Sequence, residues 1–412
     1  MPFSFVLIYR RTFKGGLFMK KLFIILCIAT AFFMCGSSTV SALEVDVNDN
    51  SDALFLDFIQ SELTPEEFES LEYTKQFVYD LDLQQAGYVI DFSFGNNVGY
   101  ALLAKIRFND TYTYELEEIR LGASPFANCV GTKIYPAPFA YLQYANGNFK
   151  DLSTNTVLNE SQLAILEQKG FNYCGGTTYT GVTYTYNYDH KTEDTYNILG
   201  DVPEYSSIVG ASNCAVVAGC NLIGYYDRLY ENLIPNYQTY NSFAGRIFYK
   251  ALNTETEAVM NTLYTLMEAD VDGPGVTFTG YVNGLEEYVE GKGYTFSYNS
   301  LMSWGSFDYS AYVTAVESGK AVSLFLTNYA LVPMTAYVEN TNQDSVYNCQ
   351  YPSNHVVIGC GYRVVSYYDS NNTLTNQVKY LRVSSGMAEL DLCYLNISNF
   401  TQISNAITIN VS

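Results

Sequence analysis

The sequence predicts an α+β protein built from two successive regions, and three observations carry that expectation. Helical and strand-like patterns fall into separate blocks instead of alternating as strand–helix–strand units. The 39 Tyr and 25 Phe are spread along strand-like stretches, where sheet packing accounts for them better than sugar stacking does. The chain has 412 residues, 48% hydrophobic and only 15% charged, which suits two or three domains and is too apolar for disorder.

The N-terminus reads as a targeting segment. Met19-Lys20-Lys21 precedes the uncharged run Leu22–Met34, and small residues follow from Gly36 to Ala42. This is the pattern of a secretory signal, so residues 1–42 are expected to be a signal peptide cleaved after Ala42, with residues 1–18 upstream of the working start. The apolar run is shorter than the roughly 20 residues a spanning helix needs, so no stable membrane span is expected in the mature chain. A lipid anchor on Cys35 is disfavoured because Met34 is too large for the residue before a lipidated cysteine. The formal net charge is −21, from 21 basic and 42 acidic residues. Cleavage removes five basic residues and no acidic one, which deepens the acidity. Such a balance excludes a basic nucleic-acid footprint and favours solubility outside the cell. Of nine cysteines, Cys27 and Cys35 leave with the signal, and the remaining seven allow three disulfides and one free thiol.

Residues 43–60 read as a solvated linker. Within it Asp46–Ser51 imitates a calcium loop, but Ser51 stands where a glycine is needed and Asp57 where a glutamate is. A helix is expected from the capping box Thr64–Glu67, with Phe68, Leu71 and Phe77 as its apolar contacts. Tyr88–Tyr144 is strand-like, and a helix over Ser161–Lys169 stops at Gly170. Residues 43–185 therefore form the smaller N-terminal α+β region. The Thr- and Tyr-rich stretch 176–205 reads as a linker or extended arm, centred on 186–200, with an edge strand as the rival reading. Residues 201–412 form the second region. Its expected helices lie near Ala215–Arg228, from a capping box Thr254–Glu257, near Gly280–Glu290 and over Tyr309–Glu317. Its expected strands are Ala321–Leu326, His355–Tyr362, Tyr380–Ser384 and Ile407–Val411.

The only histidines are His190 and His355, which excludes a multi-histidine metal site, and neither a metal nor an organic cofactor is implied. In Ser212-Asn213-Cys214-Ala215-Val216 a cysteine opens a helix of small and apolar residues, where unpaired N–H groups and the helix dipole favour a thiolate. Taken alone, Cys214 reads as a structural cysteine. About 140 residues on, His355 opens the apolar strand Val356-Val357-Ile358-Gly359-Cys360-Gly361-Tyr362, where its ring can act as base toward a thiol. Cys220 lies on the buried stripe of the same helix, and His190 lies in a polar linker; both read as structural.

This pairing resembles the papain-fold cysteine peptidases, in particular the bacteriocin-leader-processing, double-glycine branch and secreted streptopain-like precursors. Asn213, Cys214, Ala218, Asn221, Tyr225 and Asp227 match that branch in register, whereas its Gly-Pro after the cysteine is Ala215-Val216 here. The resemblance implies a papain-like domain over 201–412 that cleaves peptide bonds, with Cys214 as nucleophile and His355 as proton shuttle. Ser385 stands where the histidine-orienting residue is expected, with Asp391 as a substitute by sequence, and its hydroxyl is the expected acceptor. The branch's glutamine before the cysteine is missing, so Asn213 or Ser212, with the Cys214 N–H, is assigned to the oxyanion hole. Phe94–Ala101 and Ser124–Phe126 resemble, more loosely, the pro-domains of secreted precursors. Gly175-Gly176 matches a double-glycine processing site, although two glycines in a linker are commonplace. The expected substrate is a peptide or protein. The rival readings are a catalytically silent surface-binding module and a Cys–His acyl transferase or amidase.

Overall fold

The computed structural model describes residues 49–412, apart from Asn109, Asp110, Cys174, Thr177, residues 207–212, Ala244, Asp272, Glu389 and Asp391. Residues 1–42, expected to be a signal segment, and Ser212 and Asp391 therefore lie outside the described residues. The protein is mixed α+β, as expected, with seven helices and two large sheets among the described residues.

Helix α1, Ser51–Glu62, takes up residues 51–60 of the stretch expected to be linker. Phe55 and Ile59, one turn apart, are buried against the N-terminal sheet, and that tertiary contact outweighs the acidic start that suggested solvent. The capping box at Thr64 does form, with the Thr64 N–H donating to Glu67 Oε2 at 3.0 Å and Glu67 N–H to Thr64 Oγ1 at 3.3 Å. It starts only the short helix α2, Pro65–Glu69. Leu71 is not helical, and Phe77 lies in the strand Glu72–Tyr79, because Tyr73, Phe77 and Tyr79 obey a period of two. A box marks where a helix begins and says nothing about where it ends.

The N-terminal sheet has seven strands, in the order Thr111–Leu121, Asn97–Phe108, Gln85–Phe94, Glu72–Tyr79, Thr132–Ile134, Leu142–Ala145, Asn148–Asp151. Gln85–Phe94 is covered on both faces. Tyr88, Ile90 and Phe92 pack with α1, while Val89 packs with Phe126 and Tyr135. Helix α3, Glu160–Lys169, follows the sheet and stops at Gly170, as the sequence predicted.

The second region is a ten-stranded sheet, covered by α4 (Cys214–Asp227), α5 (Thr254–Leu266), α6 (Phe278–Gly291) and α7 (Tyr309–Glu317). The α5 box uses Asn253 and Thr256, one residue earlier than expected. Two of the sheet's strands correct the linker reading. Thr180–Asn187 pairs with Gln343–Tyr351, and His190–Asn197 pairs with His355–Tyr368, so 180–197 is a pair of strands in this sheet and the ladder crosses the expected limit at 185. The alternation of Tyr with Thr was the signal for it. His190 stacks on Tyr368 at 4.8 Å.

The two regions are pinned together by a small hairpin. Met302 and Ser303 pair with Phe307 and Ser306, and both turn residues have positive φ, +48° at Trp304 and +66° at Gly305. Trp304 lies nearly parallel to Phe94 at 6.0 Å and to Phe92 at 6.5 Å, half-buried against the N-terminal core. A Cβ at residue 305 would overlap the Ile119 carbonyl, so only glycine permits this approach.

Candidate active site

Cys214 is the first residue of α4, and every residue of that helix is buried. Its rigid placement comes from small side chains and from internal polar pairs. Gly224 packs against Tyr205, and Asn221 accepts the Tyr205 N–H at 2.8 Å and donates to the Tyr205 carbonyl at 3.2 Å. Asp227 accepts the Ile234 N–H at 2.9 Å and the Thr239 hydroxyl at 3.2 Å. Burial raises its carboxyl to about 6. Asn221 and Asp227, which matched the peptidase pattern in register, thus hold the helix in place.

His355 is the first residue of the strand His355–Tyr368 and faces Leu326 on the neighbouring strand Val322–Val332. Its imidazole is 2% exposed. Nε2 donates to the main-chain carbonyl of Ser385 at 2.9 Å. A carbonyl only accepts, so Nε2 carries the proton and Nδ1 holds the lone pair. Nδ1 has no hydrogen-bond partner among the described residues. Burial pulls the imidazole down to about 4, against a smaller upward pull from the Ser385 carbonyl, so the ring is neutral at pH 7.

The assignment of the Ser385 hydroxyl needs correction. It donates to the Leu390 carbonyl at 2.6 Å and accepts the Met387 N–H at 3.0 Å, closing a turn, while the main chain of the same residue orients the imidazole. The position was legible and the atom was not, since the turn spends the hydroxyl locally. Gly386 then packs against Val217 of α4 and fixes this turn beside the helix that carries Cys214. Asn213 is 4% exposed and makes no side-chain cap on α4, and its Nδ2 has no partner among the described residues.

Cys214 and His355 share one small space, and a third segment fills it. A Cβ built on Gly175 would stand 2.9 Å from His355 Nδ1 and 3.4 Å from Cys214 Cβ, so these two atoms are separated by no more than the sum of those lengths. The segment is held at three points. Tyr173 exchanges main-chain hydrogen bonds with Val276 at 2.8 and 3.3 Å, and Gly175 N–H donates to the Asn354 carbonyl at 2.7 Å. The Tyr329 hydroxyl meets the Gly176 N–H at 3.4 Å and the Gly176 carbonyl at 3.3 Å. The Tyr329 ring also stacks on the imidazole at 4.8 Å and on Tyr351 at 4.7 Å, forming an aromatic column behind His355. Nothing in the sequence singled out Tyr329 from the other strand tyrosines.

Glu115 and Glu117 lie close enough to Tyr173 for their charges to act on its hydroxyl. Glu115 accepts the Thr279 hydroxyl at 3.0 Å, across the junction of the two regions. Burial raises it to about 7. Glu117 occupies the bulge between the pairs Leu102–Glu118 and Leu103–Leu116, and burial with the charges of Glu115 and Glu118 raises it well above the usual range. Among the described residues no cluster of His, Cys, Asp and Glu is placed to hold a metal ion, and the six described cysteines are all outside disulfides. No helix among them is long and apolar enough to cross a membrane.

Compared with family models, with curated proteins and with solved structures, the chain matches none of them.

Proposed function

We propose that this chain is a secreted, papain-like thiol hydrolase of peptide bonds, held latent by its own segment Tyr173–Gly176. Cys214 is the nucleophile and forms a thioester intermediate that water hydrolyses. His355 takes the thiol proton on Nδ1 and later returns it to the leaving amine. The Ser385 carbonyl holds the ring in the tautomer that leaves Nδ1 basic, and the start of α4, with the Cys214 N–H and the Asn213 amide, faces the developing oxyanion. The observation that carries the reading is the common neighbour of the two groups: one Cβ-sized point at Gly175 lies within 3.4 Å of both Cys214 Cβ and His355 Nδ1. The N-terminal region acts as a pro-domain, since it leads into the covering segment and docks on the catalytic region through Trp304.

The test uses the full chain with the cover loosened by Gly175→Ala. Peptide hydrolysis that both Cys214→Ala and His355→Ala abolish is the expected result. Cys214 that alkylates no faster than free cysteine near neutral pH, together with no hydrolysis, would overturn the proposal. Added amines that divert the product to transpeptidation would assign the same pair to acyl transfer.

A further inference from the structure

Tyr173 enters a pocket built for a phenol. Its ring meets Phe325 edge-on at 5.0 Å, and Phe325 is flanked in the same way by Phe278 at 5.0 Å and Tyr281 at 5.1 Å. Its hydroxyl lies 2.6 Å from Ser404 Oγ. Ser404 already gives its own proton to the Phe325 carbonyl at 3.2 Å, so toward Tyr173 it presents an acceptor and the phenol donates. Tyr173 is 2% exposed, and burial with the nearby charges of Glu117 and Glu115 raises its hydroxyl well above the ordinary range, so the pocket takes the neutral phenol. Two residues further on, Gly175 has φ +70° and no room for a Cβ beside the imidazole. At these two points the main chain is bound, Tyr173 by Val276 and Gly175 by Asn354, which is how a groove holds a peptide backbone.

We infer that this groove is a recognition site for peptides of the form Tyr-x-Gly, with the tyrosine in the Phe325–Ser404 pocket and the glycine against Cys214 and His355, and that the chain's own Tyr173–Gly175 occupies it. The inference rests on the reading above for its biological use, but binding is measured without turnover. Selectivity for tyrosine over phenylalanine follows from Ser404, because a phenyl ring leaves a buried acceptor unpaired. Selectivity for glycine follows from the space at residue 175.

The experiment follows alkylation of Cys214 by iodoacetamide with peptide mapping, in the full chain carrying Tyr173→Ala. Emptying the pocket should speed labelling, and added acetyl-Tyr-Ser-Gly-Gly amide should restore protection. The Phe-Ser-Gly-Gly peptide should protect about tenfold less well. The Tyr-Ser-Ala-Gly and phosphotyrosine peptides should protect still less. Ser404→Ala, added to the same chain, should bring the Tyr and Phe peptides to equal strength. Equal protection by Tyr and Phe peptides with Ser404 intact, or protection by the phosphotyrosine peptide, overturns the inference, as does fast labelling that no peptide slows. Should Tyr173→Ala fail to fold, Tyr173→Phe removes only the hydroxyl, and in that chain labelling of Cys214 must rise for the inference to stand. A chain that binds Tyr-x-Gly and cleaves nothing would refute the hydrolase and leave the groove.

Discussion

Replacing Gly175 by alanine tests the cover directly. At φ +70° an L-residue is strained, and the new methyl would stand 2.9 Å from His355 Nδ1, closer than real Cβ contacts come. Strain of about 1 kcal/mol from the left-handed backbone and about another 1–2 from the overpacked contact weaken the covered state by roughly 2–3 kcal/mol. At 1.4 kcal/mol per decade, the uncovered fraction should rise roughly 30- to 100-fold. Iodoacetamide labelling of Cys214, read by peptide mapping, follows that fraction when uncovering is fast relative to alkylation. Cys220 and Cys360, both 0% exposed, serve as internal references, since they label only through wider unfolding. Alanine also lowers the entropy of the unfolded chain by about 0.4–1 kcal/mol in equivalent free energy, so the melting temperature should change little while the local rate changes much. Labelling of Cys214 that is unchanged, or that rises only in step with Cys220, would refute the idea that Gly175 covers the pair.

Two further outcomes are expected. The pH dependence of stability contains opposing contributions. His355, lowered from 6.5 to about 4, contributes stability that is complete above pH 6.5 and lost as pH falls through 4. Glu115, raised from 4.5 to about 7, contributes stability that is complete below pH 4.5 and lost as pH rises through 7. Each shift corresponds to about 3 kcal/mol, so Glu115→Gln should steepen the loss of melting temperature between pH 6.5 and 4.5, and parallel wild-type and variant curves in scanning fluorimetry would contradict this. Trp304→Ala, which empties a half-buried site against Phe92 and Phe94, should cost about 2–3 kcal/mol by urea denaturation and open the junction of the two regions to proteolysis; a midpoint unchanged within error would rule out the hairpin as the pin.

What the sequence disclosed depends on how local each signal is. Tyr309–Glu317 and the start of α4 were read to within a residue, because caps, glycines and apolar periodicity act over a few positions. His355 at the head of its strand was legible for the same reason. The helix over Ser51–Glu62 was not, since only the distant sheet makes Phe55 and Ile59 a buried stripe. For 180–197 the sequence offers a strand only as a rival to a linker, because pairing with Gln343–Tyr351 and His355–Tyr368 is non-local. Within the candidate site, residue types single out Cys214 and His355, but not the Ser385 carbonyl that meets the imidazole, nor the arrival of Gly175 beside the pair. A main-chain carbonyl leaves no mark on composition, and two glycines in a polar stretch look alike whether or not they lie against a thiol.

The use of a carbonyl in place of a carboxylate bears on latency. A carboxylate at Nε2 would stabilise imidazolium even in a closed site, whereas a carbonyl offers only a dipole. With the ring buried, the neutral form wins and the imidazole sits near 4. In the proposed reading, the covering segment therefore controls two things together. It blocks the approach of a peptide, and by excluding water it keeps the base from accepting the thiol proton. Withdrawal of Tyr173–Gly176 hydrates Nδ1, lets the ring return toward its ordinary value of about 6.5, and brings its proton affinity into the range a general base needs near neutral pH. Tyr329 couples the two effects, since its hydroxyl binds Gly176 while its ring rests on the imidazole. Tyr329→Phe should consequently loosen the cover without unstacking the ring, giving a rise of about five- to thirtyfold in Cys214 labelling, in proportion to the two long hydrogen bonds lost to Gly176, together about 1–2 kcal/mol. A labelling rate equal to that of the unaltered chain would break the link between the column and the cover.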